Sequence, residues 1–244
     1  MNDRELAAWL VEKGGPAIRY RAATELLSEP DSVDVDRRRK ELLESRLVEL
    51  WLGRLVPDTS PTGLHHSKNT AYENAMGKLT QLGCTMRMSA FDQRTLPFRR
   101  WLQNEVQTPK QFFGPFYWTL LASLLAMAGY GEDEAVKKVL TRRLETLYEL
   151  THRGSYDLYV DQDTYPGFPK AFRNHPLINS KLYEEGNLQL PWIHDLNGLA
   201  NSPDLPYDER YANKIDTIVS YILHPEYQKL PQGYGILYVP KRHY

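Results

Sequence analysis

The chain has 244 residues, 41% hydrophobic and 25% charged, a balance typical of one soluble globular domain covering residues 1–244. Thirty basic residues oppose thirty-one acidic ones, and the formal net charge of -1 gives no basic excess of the kind that nucleic-acid binders show. Cys84 is the only cysteine, which excludes an intrachain disulfide and a cysteine-rich zinc site.

The two ends of the chain bear on location and assembly. Residues 1–10 are charged from the start, unlike a signal peptide, and the longest apolar run, 120–129, is too short to span a bilayer. We therefore expect a cytoplasmic protein without a membrane span. The aromatic-rich tail, 234–244, could reach a second chain, so a homo-oligomer is one option.

Helical periodicity recurs through most of the chain, with Gly14-Gly15 ending the first helix and Pro16 beginning the second. Asp3 is the expected N-cap of the first helix. The pattern predicts helices at residues 3–13, 17–27, from Asp34 or Asp36 to about 55, 70–82, 91–106 (with Pro97 as an alternative start), 115–128, 132–148, 192–199 and 208–223. A single strand is predicted at 236–239.

The apolar residues of these helices predict which faces are buried. Trp9 is expected to pack between the first two helices. The residues expected to face inward in the N-terminal part are Ile18, Ala22, Leu26, Leu42, Leu43, Leu47, Leu50 and Trp51, followed by Phe98, Trp101, Leu102 and Val106. The basic run 37–40 is expected on a solvated face, paired with Glu41 and Glu44, with phosphate binding as the alternative.

Residues 153–191 interrupt the helical pattern. Four prolines in this segment prevent one long helix, and its aromatic content argues against disorder. A long irregular segment inside a helical domain is usually functional. We expect a long insert or lid that lines a pocket together with the aromatic end of helix 115–128.

Paired helices joined by short turns predict an all-α fold, either an α/α toroid-like array of helical hairpins or a curved solenoid. The segment GGPAIRYRAATELL resembles the second helix of a HEAT-type repeat. The strings AIRYRAATELL, FYWTLLASLLAMAGYGED and NLQLPWIHDLNGLA resemble the α/α toroid of terpenoid cyclases and prenyltransferase-type proteins. This resemblance implies a fold rather than an activity.

The sequence departs from the catalytic patterns of those enzymes. The DxDD aspartate cluster of class II cyclases has its nearest match at residues 161–164, where Thr164 replaces the final Asp. Cys84 has no neighbouring ligands of a prenyltransferase zinc site, and the Gln-Trp repeat of squalene cyclases is not found.

Three carboxylates within seven residues, Asp157, Asp161 and Asp163, are the catalytic candidates. In an extended chain Asp161 and Asp163 share a face, and two close carboxylates acquire different pKa values, as acid–base chemistry requires. Tyr165 and His175 would position the substrate. The alternative is that these Asp residues cap turns and helix ends.

Five further residues are expected to bind the substrate or to form apolar or stacking walls, with core packing as the alternative for the aromatic ones. They are Trp118, Tyr117, Trp192, His194 and Asp195. Asp195 also fits a charge at a helix N-terminus.

His65-His66 and His194-Asp195 are the best metal candidates, but their spacing matches no common metal motif, so no metal site is predicted. No glycine-rich phosphate loop occurs, and no cofactor is predicted.

The leading hypothesis is a small-molecule pocket protein. If it is an enzyme, it would use carboxylate acid–base chemistry of the cyclase, lyase or hydrolase type on an isoprenoid or a carbohydrate. The alternative is a non-enzymatic HEAT-like helical module that binds a protein partner.

Overall fold

The computed structural model describes residues 2–27, 31–107, 114–161, 163, 170, 174–184, 187–230, 236–239 and 242–243. Most of these residues are helical, so the all-α prediction is confirmed. The described contacts divide the chain into two compact units. Unit 1 comprises Met1–Asn104 and Leu124–Tyr130, and unit 2 comprises Glu105–Ser123 and Gly131–Tyr244.

Unit 1 is a series of short helices in which sequential neighbours pack together. Its helices are α1 (Asp3–Lys13), α2 (Pro16–Glu25), α3 (Ser32–Leu43), α4 (Arg46–Arg54), α5 (Pro61–Leu64), α6 (Tyr72–Gln81) and most of α7 (Ser89–Gln107). The N-cap of α1 is Asn2 rather than Asp3: its side chain accepts from the Glu5 N–H, and the Glu5 carboxylate accepts from the Asn2 N–H. This reciprocal pair is a capping box.

The predicted helix from Asp34 or Asp36 to residue 55 is two helices. Ser45 interrupts it because its hydroxyl bonds in both directions, donating to Leu42 O and accepting from the Val48 N–H. A hydroxyl that caps a new helix offers the backbone an alternative to continuing the old one. The apolar stripe predicted across 42–51 therefore belongs to two separate helices.

Several inward positions predicted in unit 1 are wrong. Trp9 is 52% exposed and is not packed between helices, and the predicted inward side chains of Ile18, Leu26, Leu47 and Leu50 are also exposed. The predicted inward position of Ala22 in α2 is confirmed, and the small side chains of Ala23 in α2 and Ala7 in α1 are buried as well. Helices that meet through alanine approach closely, which leaves the larger side chains at the margins.

The basic run 37–40 pairs as predicted. Arg37 lies 2.7 Å from Glu41, and Lys40 lies 3.9 Å from Glu44. Arg38 does not lie on the solvated face that was expected for this run. Its side chain is nearly buried and donates to Val11 O in α1.

Near the end of unit 1 the chain makes a π-helical turn, Ala126–Tyr130, in which Gly129 has φ 93°. Tyr130 donates to Asp92 Oδ1 at 2.8 Å, and its hydroxyl lies 2.9 Å from Thr95 Oγ1. The Arg99 guanidinium stacks on the Tyr130 ring at 4.5 Å and donates to the same carboxylate. Burial of this phenol raises its pKa from 10.0 to about 12.

Tyr130 should therefore make stability depend on alkaline pH. Because the folded-state pKa is raised, its contribution is complete below pH 10 and is lost as the pH rises through about 12. We expect the stability difference between wild type and Tyr130→Phe to shrink between about pH 9 and about pH 12. Thermal unfolding of both proteins across that range measures it, and a constant difference would show that the phenol does not titrate on unfolding.

Unit 2 contains α8 (Gly114–Leu125) up to Ser123, α9 (Glu134–Thr151), α10 (Ile193–Ala200), α11 (Glu209–Leu223) and α12 (Pro225–Gln228). Helix α9 is its centre, since α10 and α11 both pack on it. The 3–4 spacing of its apolar residues predicts one buried face for α9, and all five residues of that face are buried: Val136, Val139, Leu140, Leu144 and Leu147.

The interruption at 153–191 carries more regular structure than its sequence suggests. Its strands are β1 (Tyr159–Val160), β2 (Leu177–Ile178), β3 (Tyr183–Glu184) and β4 (Asn187–Leu188), with a 3-10 turn at Ser180–Leu182. Two further strands, β5 (Ile236–Val239) and β6 (Arg242–His243), complete a sheet of order β1-β2-β5-β6. The strand predicted at 236–239 is confirmed. Two-residue strands are too short to show alternation, which is why the others were not predicted.

This sheet makes the segment part of the core of unit 2. Leu177 pairs with Ile236 and Ile178 with Leu237, in parallel register. Leu158, Ile178 and Leu182 are buried in one cluster with Leu150 of α9 and with Tyr221 of α11. The apolar residues Leu158, Ile178, Leu182 and Leu188 of the segment therefore belong to the core of unit 2, and the tail residues Ile236–Val239 pair within their own chain.

No helix of the described ranges is both long and apolar enough to cross a membrane.

Candidate functional site

Unit 2 contains a small cavity between α8, α9 and β4. Its volume is about 30 Å³, roughly twice the 10–15 Å³ that one water requires. The lining residues are Val106, Pro115, Trp118, Thr119, Lys138, Val139, Arg142, Arg143 and Asn187. The cavity thus adjoins the aromatic end of α8 and the interrupting segment, the two regions from which a pocket was expected.

Two polar atoms on the lining residues lack hydrogen-bond partners. The Nε1 of Trp118, a donor, and the Oδ1 of Asn187, an acceptor, are both buried and unsatisfied. Trp118 is only 2% exposed. A buried polar group without a partner costs about 1–3 kcal/mol, so each such group in a folded protein requires an explanation.

Gly114 allows the Trp118 indole to lie where it does. A Cβ on Gly114 would stand 2.8 Å from Trp118 Cζ2, closer than side chains approach. The indole therefore packs directly on the backbone at the start of α8. Any larger residue at 114 would displace the indole ring of Trp118, a lining residue of the cavity.

All ionisable residues that line the cavity are basic. Lys138, Arg142 and Arg143 are its ionisable residues, and no carboxylate is among the lining residues. Arg143 is neutralised by Asp195. Lys138 and Arg142 lie four residues apart, both exposed, and neither forms an ion pair with a described residue. The rim is therefore a site of positive potential.

A buried ion pair holds the cavity wall in place. Arg143 Nε donates to Asp195 Oδ1 at 2.8 Å and Nη2 donates to Oδ2 at 3.0 Å, in a bidentate arrangement. Arg143 also donates to Leu188 O, next to Asn187, and stacks on the Trp192 ring at 4.6 Å. The guanidinium thereby fixes β4 and the start of α10 to α9.

Asp195 completes this clamp and has no direct access to the cavity. It is 0% exposed, and its Oδ2 also accepts from the Trp192 N–H at 2.8 Å. In the described geometry Asp195 caps α10 and pairs with Arg143, in keeping with the alternative of a charge at a helix N-terminus.

The other predicted wall residues gather around Phe116, which belongs to the same aromatic cluster at the start of α8. Trp192 makes an edge contact with Phe116 at 5.2 Å, Tyr117 one at 5.3 Å and His194 one at 6.4 Å. Burial raises the pKa of Tyr117. Of the predicted substrate-binding residues, Trp118 alone belongs to the cavity lining as described.

The predicted catalytic carboxylates lie apart from this cavity. Asp157, Asp161 and Asp163 are all exposed and none of them is a lining residue. Asp161 Oδ1 accepts from the Asp163 N–H at 3.0 Å, the local turn bond that the alternative interpretation expected. His175 is also exposed, and Tyr165 lies outside the described residues.

The metal candidates do not form a ligand set within the part of the chain that the structure describes. His65 Nδ1 contacts Glu73 Oε2 at 2.5 Å, and His66 Nδ1 accepts from the Lys68 N–H. Both contacts order the loop before α6.

Ser123 in unit 2 lies close to a histidine, with its Oγ 3.4 Å from His194 Nδ1. The same hydroxyl is buried and donates to Leu120 O. A hydroxyl engaged in this way is poorly placed as a nucleophile.

Sequence reasoning missed Asn187, Lys138, Arg142 and Arg143. One signal was present: Arg143 interrupts the apolar stripe of α9, since it lies four residues after Val139 and four before Leu147. A cation at a buried helical position requires a partner, and this one has Asp195. Asn187 gave no such signal, because polar residues are common in irregular segments.

Comparisons with protein-family models, with curated proteins and with solved structures found no match to this chain.

Proposed function

We propose that unit 2 binds a small molecule through one polar group, which enters the cavity between α8, α9 and β4. The observation that carries the proposal is the unsatisfied pair, a donor on Trp118 and an acceptor on Asn187, on the lining of one cavity. Ordered water satisfies such atoms in an unliganded protein, and a ligand group with matching hydrogen bonds can displace it.

The cavity volume limits how much of the ligand is enclosed. Pockets for drug-sized ligands start near 300 Å³, so about 30 Å³ is roughly a tenth of such a site. Only a small group fits inside, and the remainder of the ligand lies at the rim beside Lys138 and Arg142. The cavity is therefore an anchor for one end of a ligand.

The Trp118 indole N–H gives a direct test. In a titration of ¹⁵N-labelled protein with acetamide, urea, acetate and inorganic phosphate, we expect at least one probe to shift the Trp118 indole signal. Its new hydrogen bond should move this resonance more than that of Trp192, which belongs to the same unit but does not line the cavity. Trp118→Phe assigns the signal.

The Asp163→Asn variant is the matched control for this titration. Asp163 is exposed and not a lining residue, so the variant should respond as wild type does. If none of the four probes moves the Trp118 signal, or if Trp192 moves equally, the cavity holds only water and the proposal fails.

The acid–base enzyme acting on an isoprenoid or a carbohydrate stays a prediction, as does the α/α toroid arrangement of helices. No observed contact joins Asp157, Asp161 or Asp163 to the cavity. The alternative, a HEAT-like interaction module, also stays a prediction. It is favoured by apolar side chains that α1 and α4 expose three residues apart, Leu6 with Trp9 and Leu47 with Leu50.

A further inference from the structure

We infer that the group held in the cavity is a phosphoryl group that keeps one proton, as in inorganic phosphate or a monoprotonated phosphate ester. This inference rests on the proposed function and names its ligand class. It follows from two independent features of the lining, the sign of its charge and the pairing of one donor with one acceptor.

The charge selects an anion. The lining has the ionisable residues Lys138, Arg142 and Arg143, and only Arg143 has a carboxylate partner. Two cations one helical turn apart, both without ion pairs to described residues, attract an oxyanion and repel a cationic ligand. Arg142 also presents the planar donor fork that suits phosphate oxygens.

The hydrogen bonds select among anions. Trp118 Nε1 can only donate, so it requires an anionic or carbonyl oxygen. Asn187 Oδ1 can only accept, so it requires a donor in the same small cavity. Carboxylate and sulfate have no proton to offer near neutral pH. A phosphoryl group with one remaining O–H offers an acceptor to Trp118, a donor to Asn187 and negative charge to the two cations.

Titration of the full chain with inorganic phosphate and with sulfate tests this at about pH 6, followed by the Trp118 indole signal. Inorganic phosphate keeps at least one O–H at this pH, as does much of the population of a phosphate monoester, whose second pKa is near 6. We expect phosphate to bind roughly tenfold more tightly than sulfate, as one additional hydrogen bond implies. Sulfate carries the larger charge at this pH, so charge alone predicts the opposite order.

Variants separate the two features. Arg142→Gln should weaken phosphate and sulfate alike, by roughly threefold to fivefold, since an exposed charge contributes modestly. Asn187→Ala should reduce phosphate binding to the level of sulfate and leave sulfate unchanged. Arg153→Gln, the loss of an exposed arginine just beyond α9 and outside the lining, should change neither.

The results distinguish this inference from the function on which it rests. Equal binding of phosphate and sulfate, or no effect of Arg142→Gln, overturns the inference. A shift of the Trp118 signal by acetamide but not by phosphate overturns it while the small-molecule proposal stands. If no probe shifts the Trp118 signal, both the inference and the proposed function are wrong. Methyl phosphate, titrated alongside, identifies the source: binding as tight as that of inorganic phosphate assigns the site to monoesters, and weaker binding assigns it to free phosphate.

Discussion

Replacing Asp195 by alanine should lower the free energy of unfolding of unit 2 by about 3–5 kcal/mol, the usual cost of removing one partner of a buried ion pair. Arg143 is 1% exposed and would keep its charge without a counter-charge. The Trp192 N–H would also lose its acceptor at the start of α10. Hydrogen exchange in peptides from α9 and α10, measured for wild type and variant, reports this loss within the unit.

The double variant Arg143→Met/Asp195→Leu is the informative control. Apolar side chains of similar size can replace a buried ion pair at little cost, because they remove the desolvation penalty of both charges. We expect the double variant to be less destabilised than Asp195→Ala, although Leu188 O loses its donor. If Asp195→Ala lowered the free energy of unfolding by less than about 1 kcal/mol, water would reach the Arg143 guanidinium and the ion pair would not be shielded from solvent.

The same pair shows where sequence reasoning succeeds and where it stops. The apolar stripe of α9 was predictable, because helical spacing is a local property of the chain. The interruption by Arg143 was visible too. Its partner was not, since Asp195 lies 52 residues away and a contact at that separation depends on the path of the intervening segment. The cavity wall at Asn187 depends on that path as well.

Burial in unit 1 was predicted less well for a related reason. An amphipathic stripe shows that one face of a helix is buried, but the residue that makes the closest approach is decided by the neighbouring helix. In α1 that residue is Ala7, and Trp9 lies at the exposed margin. Periodicity therefore predicted that the helices exist and gave most of their bounds, but it overestimated the burial of large side chains near a close helix crossing.

Phe98 is one of the residues of unit 1 whose predicted inward position is confirmed. It is 0% exposed in α7, and its ring centroid lies 4.6 Å from that of Tyr72 in α6. Tyr72 is buried to the same degree, and burial raises its pKa well above 10.0. The two rings thus form a buried contact between α6 and α7.

Phe98→Ala should consequently lower the free energy of unfolding of unit 1 by about 3–5 kcal/mol, from lost transfer energy and the cavity left beside Tyr72. Trp9→Ala removes a larger aromatic group from a half-exposed site, and we expect it to cost about 1 kcal/mol or less. Hydrogen exchange in peptides from α6 and α7 measures both variants in the same unit. If Trp9→Ala proved as costly as Phe98→Ala, Trp9 would be packed in solution and the original prediction for α1 would be restored.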